Sequence, residues 1–66
     1  MRVEINGEIR DVPAELDLAA LLDRLSLSSR RVAVELNREV VRRSDWASRK
    51  LAEADKIEIV HFVGGG

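Results

Sequence analysis

The segment Asp17–Leu25, DLAALLDRL, decides the fold. Four of its leucines recur at i, i+3, i+4 and i+7, the apolar stripe of an amphipathic helix: Leu18, Leu21, Leu22 and Leu25. Asp17 stands just before the stripe, where a carboxylate accepts hydrogen bonds from the unpaired N–H groups of the first turn. Three serines close behind Leu25 predict a loop. The segment therefore predicts one helix with a single apolar face.

The residues before the helix predict a β-hairpin. Met1, Val3 and Ile5 alternate with charged residues, which is the period of a half-buried strand. Asn6-Gly7 follows at once and tolerates the positive φ values of a tight hairpin turn. The return strand is predicted over Ile9–Val12, where the next residue, a proline, ends it because it donates no ladder hydrogen bond.

The residues after the helix predict three more strands. Alternation indicates a strand over Val32–Leu36, and Asn37-Arg38 predicts a tight turn into a short strand over Glu39–Val41. Ser44-Asp45-Trp46 has the appearance of one capped helical turn. The final strand, Lys56–Val63, carries apolar residues on both faces, which is typical of a central strand more covered than the others.

These elements predict an α+β fold with two layers: a mixed five-stranded sheet packed on one main helix, with a short second helical turn. We find no repeat or linker, so residues 1–63 are predicted to form one domain and residues 64–66 a flexible C-terminal glycine tail. Periodicity supports the two layers but leaves the strand order open.

Composition excludes several classes of function. The chain has 66 residues with a formal net charge of −1, which argues against a nucleic-acid or membrane-surface binder because phosphate affinity requires accumulated positive charge. It has no cysteine, so disulfides, zinc–thiolate sites and thiol nucleophiles are excluded. No apolar run is long enough to cross a bilayer, and the N-terminus lacks a signal-peptide pattern. We predict a cytoplasmic protein.

Three of the four glycines are the last three residues, Gly64, Gly65 and Gly66. Glycine there cannot help folding, because it buries no side chain and loses the most entropy on ordering. It would help if a partner grips the backbone in a slot too narrow for a Cβ. Three extended residues reach at most about 10 Å, enough to thread a carboxylate into a partner's active site. The alternative is an end that is merely frayed, or glycines added to it.

A free carboxylate becomes a good electrophile as a mixed anhydride with AMP, from which a sulfur nucleophile could displace AMP. The chain has no glycine-rich phosphate loop, one histidine and no cysteine or tyrosine. It therefore has the features of a substrate of an ATP-using enzyme, and we expect neither catalytic residues nor a bound cofactor of its own.

Other candidate residues have mainly structural interpretations. Trp46 is predicted to pack at the sheet edge rather than to dock a partner, and His61 to be a surface or partly buried side chain. Phe62 and Val63 either meet a partner beside the tail or belong to the core. Six arginines predict a solvated face, with partner docking next and nucleic acid last: Arg30, Arg31, Arg38, Arg42, Arg43 and Arg49. The carboxylates show no metal-ligand spacing, so no metal site is predicted.

Several stretches together resemble the ThiS family of sulfur carriers in thiazole biosynthesis, β-grasp relatives of ubiquitin. The resemblance covers essentially the whole chain and rests on residues 1–7, 17–22, 32–37, 44–47, 54–59 and 65–66. Leu36-Asn37 and Trp46 are its more particular features, since a terminal Gly-Gly is shared with other ubiquitin-like proteins. Ala54 stands where the family has glycine and predicts a slightly different turn.

The resemblance implies a β-grasp sheet, with the last strand beside the first, and a chemistry. A ThiF-type enzyme would use ATP to adenylate Gly66, which then receives sulfur taken from cysteine by a cysteine desulfurase. Thiazole synthase, ThiG, would consume the thiocarboxylate. Gly65 is the required neighbour, and Gly64 goes beyond the family's usual pair. The alternatives are a sulfur carrier for molybdopterin synthesis, a ubiquitin-like protein modifier and a β-grasp binding module without this chemistry.

Overall fold

The computed structural model describes residues 1–62. Val63 and the glycines Gly64, Gly65 and Gly66 lie outside the described residues, and so does the predicted boundary between domain and tail. The elements in chain order are β1 (Arg2–Ile5), β2 (Glu8–Asp11), α1 (Leu18–Arg24), β3 (Val32–Leu36), β4 (Glu39–Val41), a 3-10 helix (Arg43–Ser48) and β5 (Lys56–His61).

The five strands form one mixed sheet in the order β2-β1-β5-β3-β4. β1 and β5 run parallel, with Ile5 opposite Ile57, and the other neighbours are antiparallel. The last strand therefore lies beside the first, in the centre of the sheet, and the β-grasp prediction is confirmed.

The core lies between the helix and one face of the sheet. Leu18, Leu21 and Leu22 of α1 are almost completely buried, as the leucine stripe predicts. Inward-facing strand residues complete the core, chiefly Val3, Ile5, Val34, Leu36, Ile57 and Ile59. Burial of large aliphatic side chains at about 25 cal/mol per Å² of apolar surface is the main force holding the two layers together.

Asp17 caps the helix as predicted. Its carboxylate accepts a hydrogen bond from the N–H of Ala20 at 2.8 Å, and its backbone is extended. The helix ends at Arg24, with Leu25 as the half-buried residue after it. None of the helices in residues 1–62 has the length and apolar character needed to cross a membrane.

Three boundaries differ from those predicted. β2 begins and ends one residue earlier, although the N–H of Val12 still bonds to the carbonyl of Met1 at 2.8 Å. The second helical segment has six residues rather than one turn, and its N-cap, Arg42, makes no side-chain capping bond, so the predicted cap is wrong. β5 is Lys56–His61 rather than Lys56–Val63; the N–H of Phe62 still bonds to the carbonyl of Arg31, and Val63 lies outside the described residues.

The predicted covering of β5 is wrong on one face. Ile57 and Ile59 point into the core, whereas Val60 is 60% exposed and Phe62 is 61% exposed. One helix can cover only one face of a sheet of this size, so the apolar residues on the other face remain open.

Positive φ values occur in two hairpin turns and one bend, and also at Glu15 and Ser26. Asn6 and Gly7 have φ of 48° and 84°, and Asn37 and Arg38 have φ of 52° and 71°, as tight hairpins require. Ala54 has φ of 71°, which is the left-handed conformation that glycine favours. A left-handed bend is thus formed here even though the residue carries a Cβ.

Candidate functional site at the base of the tail

The candidate site is the end of the sheet from which the tail departs. The N–H of Phe62 donates to the carbonyl of Arg31 at 3.0 Å, and His61 lies opposite Val32 in the β3–β5 ladder. Phe62, the last described residue, is therefore held beside the start of β3. This fixed point is the base to which Val63 and the three glycines are joined in sequence.

An exposed apolar surface surrounds this point. Ala33 and Val60 are directly opposite on β3 and β5, and Val40 is 70% exposed on the neighbouring strand β4. Val40 pairs with Glu35, two residues from Ala33, so both side chains lie on the outer face of the sheet. With Phe62 they form what we call the tail-base surface: Ala33, Val40, Val60 and Phe62.

A groove adjoins the tail-base surface where β4 separates from β3. The last β3–β4 pair is Val34 with Val41, after which the chain turns into the 3-10 helix. The groove that opens there has a volume of about 670 Å³. Its apolar lining includes Ala33, Val40 and Phe62, and its charged lining is Arg31, Arg42 and Arg43.

Arg43 differs from the other two arginines because its guanidinium is engaged within the fold. It donates to the carbonyls of Ser28 at 2.6 Å and Arg30 at 2.5 Å. The same group lies over the ring of Trp46, 4.4 Å from the centroid. Arg43 thus ties the loop before β3 to the 3-10 helix, and that loop holds the carbonyl that anchors Phe62.

Trp46 has the packing role predicted for it. It is 3% exposed, and its Nε1–H donates to the carbonyl of Val41 at 2.9 Å. The ring packs in the core beneath the groove, where it supports the end of β4 and the guanidinium of Arg43. A fully buried indole with a satisfied N–H contributes to stability rather than to docking.

The remaining predicted residues divide into those at the site and those away from it. His61 is exposed at the end of β5, beside Phe62. Arg49 forms an ion pair with Glu39 at 3.2 Å, and Arg38 lies in the β3–β4 turn at the far end of the hairpin. In the stretch from residue 1 to residue 62, no three acidic or histidine side chains come together as metal ligands.

Phe62 is exposed, so the alternative that it belongs to the core is wrong; its contact with a partner stays a prediction, and Val63 lies outside the described residues. The sequence patterns do not predict the exposure of Val40 and Val60. Apolar residues on both faces of β5 predict a covered Val60, and Val40 lies beside the buried Val41 but on the opposite face of β4. Side chains alternate between the two faces of a strand, and a single helix covers one face of the sheet. Together these two facts predict that Val40 and Val60 are exposed.

The chemistry available at this site is binding chemistry. Guanidinium groups donate hydrogen bonds and have no acceptor atom. The other lining side chains are apolar. This arrangement suits the contact of another macromolecule beside the tail.

Comparisons with known proteins agree with the β-grasp fold. The model of the ThiS family matches residues 3–66. The sulfur carrier protein ThiS of Bacillus subtilis is 37% identical over 97% of this chain and 98% of its own length. A crystal structure of the thiamine biosynthesis protein ThiS from Geobacter metallireducens superimposes with a TM-score of 0.87, at 32% identity over the whole of both chains.

A longer protein also contains a matching region. The thiazole synthase of Paramagnetospirillum magneticum is 47% identical over the whole of this chain. The match covers 20% of that protein, so this chain spans about a fifth of its length. A thiazole synthase of Magnetococcus marinus shows the same relationship at 42% identity.

Proposed function

The chain belongs to the ThiS family of sulfur carriers in thiamine biosynthesis, and from this membership we propose that the carboxylate of Gly66 is the group that carries the sulfur. The protein is a small carrier and not a catalyst. In the proposed cycle the domain of residues 1–63 docks on an enzyme while Gly64, Gly65 and Gly66 extend into the active site of that enzyme.

The proposed reaction has two steps. In the first, an oxygen of the Gly66 carboxylate attacks the α-phosphorus of ATP, forming an acyl–AMP anhydride and releasing pyrophosphate. In the second, a sulfur nucleophile such as hydrosulfide attacks the acyl carbon; the C–O bond to AMP breaks, AMP leaves and a proton is released. The product is a C-terminal thiocarboxylate, whose sulfur a later enzyme consumes.

The adenylating enzyme is proposed to be a ThiF-type protein, with sulfur drawn from cysteine by a cysteine desulfurase. The composition of this chain supports a separate enzyme. Gly7, in the first hairpin, is the one glycine before the tail, so the chain has no glycine-rich loop to hold ATP phosphates. The arginines at the tail base are suited to contacting that enzyme.

Thiazole synthase is the proposed acceptor of the sulfur. Support comes from the two thiazole synthases that include a region similar to this whole chain. In those two organisms, one polypeptide named thiazole synthase thus contains both a region similar to this carrier and a further, longer part. Such a connection is expected of two proteins that must meet during the same reaction sequence, because tethering raises their effective concentration.

The observation that carries the proposal is that the family match continues through residue 66. The likeness includes the glycine tail and is not confined to the β-grasp domain. A β-grasp module whose tail has no function would be expected to match the family model over the domain alone.

The proposal is tested by adenylation of the purified chain ending at Gly66. With the ThiF-type enzyme, ATP and labelled pyrophosphate, we expect label to exchange into ATP only when the carrier is present. A variant lacking Gly65 and Gly66, and one with an added alanine after Gly66, should both fail while remaining folded. Exchange that persists in the two variants would contradict the proposal. Attachment of the chain to lysines of other proteins, seen as heavier bands on a denaturing gel, would instead indicate a protein modifier.

A further inference from the structure

The charges of this chain are strongly segregated. Residues 30–50 carry seven basic and three acidic residues, a net charge of +4. The other 45 residues carry four basic and nine acidic residues, a net charge of −5. Residues 30–50 include β3, β4 and the 3-10 helix, which lie together at one edge of the sheet. One edge of the molecule is therefore basic although the chain as a whole is nearly neutral.

The groove beside the tail base is in this basic edge. Arg31 and Arg42 line it, both are exposed, and within residues 1–62 neither guanidinium has a hydrogen bond or an ion pair with a side chain. Arg43 is different because its two terminal guanidinium nitrogens each donate to a backbone carbonyl. Arg31 and Arg42 are thus available to a partner, whereas Arg43 holds together the loop and the 3-10 helix that border the groove.

The apolar part of the groove adjoins these charges. Val40 and Phe62 are more than half exposed, and Phe62 is the last described residue before the tail. Glu35 and Glu58 lie opposite each other on the outer face of the sheet, on the side of the apolar residues away from the arginines. A partner's carboxylates would be repelled there and attracted to the arginine side, so the distribution of charge also sets how the partner is oriented.

We propose that this groove is the docking site for an acidic segment of the adenylating enzyme, which places an apolar side chain against Val40 and Phe62 and carboxylates against Arg31 and Arg42. This inference rests on the proposed function. Arginine pairs with carboxylates in a bidentate geometry that lysine does not reproduce. The position of Phe62 means that the same contact aligns the tail with the active site of the enzyme.

A protein partner accounts for the groove better than a nucleic acid does. Nucleic-acid affinity scales with the number of phosphates neutralised, and only two unengaged arginines face this groove. The carboxylates of Glu35 and Glu58 would repel a phosphate backbone crossing the sheet. An acidic protein segment needs only the small area between the two arginines on one side and Glu35 and Glu58 on the other.

The test compares two double variants with equal change in net charge, Arg31→Glu/Arg42→Glu and Arg10→Glu/Arg24→Glu. Arg10 lies on β2 at the opposite edge of the sheet, and Arg24 ends α1 on the other face. At 0.1 M salt we expect kcat/KM for ATP–pyrophosphate exchange to fall about tenfold or more in the groove variant and less than about twofold in the control. The difference should shrink at 1 M salt, where the Debye length falls from about 10 Å to about 3 Å.

Two further variants test the apolar part and the folded state. Val40→Ala should raise the KM for the carrier several-fold, whereas Ile9→Ala should not, although Ile9 is 64% exposed on the same face near the other edge. If the glutamate variant does not fold, as judged by circular dichroism, Arg31→Gln/Arg42→Gln replaces it and should show the same direction of change.

The outcomes separate this inference from the proposed function. No exchange with the unmodified chain would contradict the proposed function itself. Normal exchange with equal kcat/KM in the groove and control variants would overturn only the docking site. Binding of a fluorescent single-stranded RNA that is lost in the groove variant, with exchange unchanged, would show a nucleic-acid site and also overturn the proposal.

Discussion

The side-chain amide of Asn6 makes two hydrogen bonds to the backbone of Ile59. Its oxygen accepts from the N–H of Ile59 at 2.7 Å, and its nitrogen donates to the carbonyl of Ile59 at 3.2 Å. The parallel β1–β5 ladder ends with Ile5 opposite Ile57, because β1 turns into the hairpin at Asn6. The side chain therefore continues the ladder by one step and fastens the first hairpin to the strand that ends at the tail base.

Asn6→Ala should destabilise the protein by about 2–4 kcal/mol. Two backbone groups of Ile59 lose their partner, which costs about 1–3 kcal/mol, and alanine is strained at a φ of 48°. Asn6→Gly is the matched variant, since it removes the same hydrogen bonds without the strain and should be the less destabilised of the two. Urea unfolding of the three proteins measures both effects. Equal stability of wild type and the glycine variant would show that the bonds to Ile59 contribute nothing.

Ala54→Gly should stabilise the protein by about 0.5–1 kcal/mol. A left-handed backbone costs a residue with a Cβ about 1–2 kcal/mol, and the greater entropy of glycine in the unfolded chain offsets part of that gain. Ala52, exposed in the same bend without a positive φ, provides the control. Ala52→Gly should lower the melting temperature while Ala54→Gly raises it. A decrease in both would contradict the strain assigned to Ala54.

Arg43→Lys should loosen the base of the tail without unfolding the domain. Lysine cannot bond to the carbonyls of Ser28 and Arg30 together while stacking on the indole ring below. We expect faster hydrogen exchange at the amides of Arg30 and Phe62, which bond to the same loop. Arg42→Lys is the control, because the guanidinium of Arg42 has no such contacts in the described residues. Equal exchange at the amide of Phe62 in both variants would exclude this positioning role of Arg43.

The local patterns in the sequence predict the elements well. The leucine stripe, the cap at Asp17 and the alternation over Val32–Leu36 all describe what each residue does relative to its own element. Such features depend on the period of a helix or strand, so one chain is enough to identify them.

The features that the sequence did not predict depend on other parts of the fold. The bonds from Asn6 to Ile59 join residues 53 apart, and no local pattern reports them. The exposure of Val60 depends on which face of the sheet the helix covers. The groove depends on β4 leaving β3 after Val41. These three are tertiary properties, and two of them shape the candidate site.

The central claim is that Gly66 carries sulfur, and intact-mass measurement tests it most directly. The chain ending at Gly66 is incubated with the ThiF-type enzyme, ATP and sulfide, and then fragmented to locate the change. The account predicts replacement of one oxygen by sulfur in the fragment that contains Gly66, and only when ATP is present. An unchanged mass under conditions in which the enzyme is active on another carrier, or sulfur located elsewhere in the chain, would contradict it.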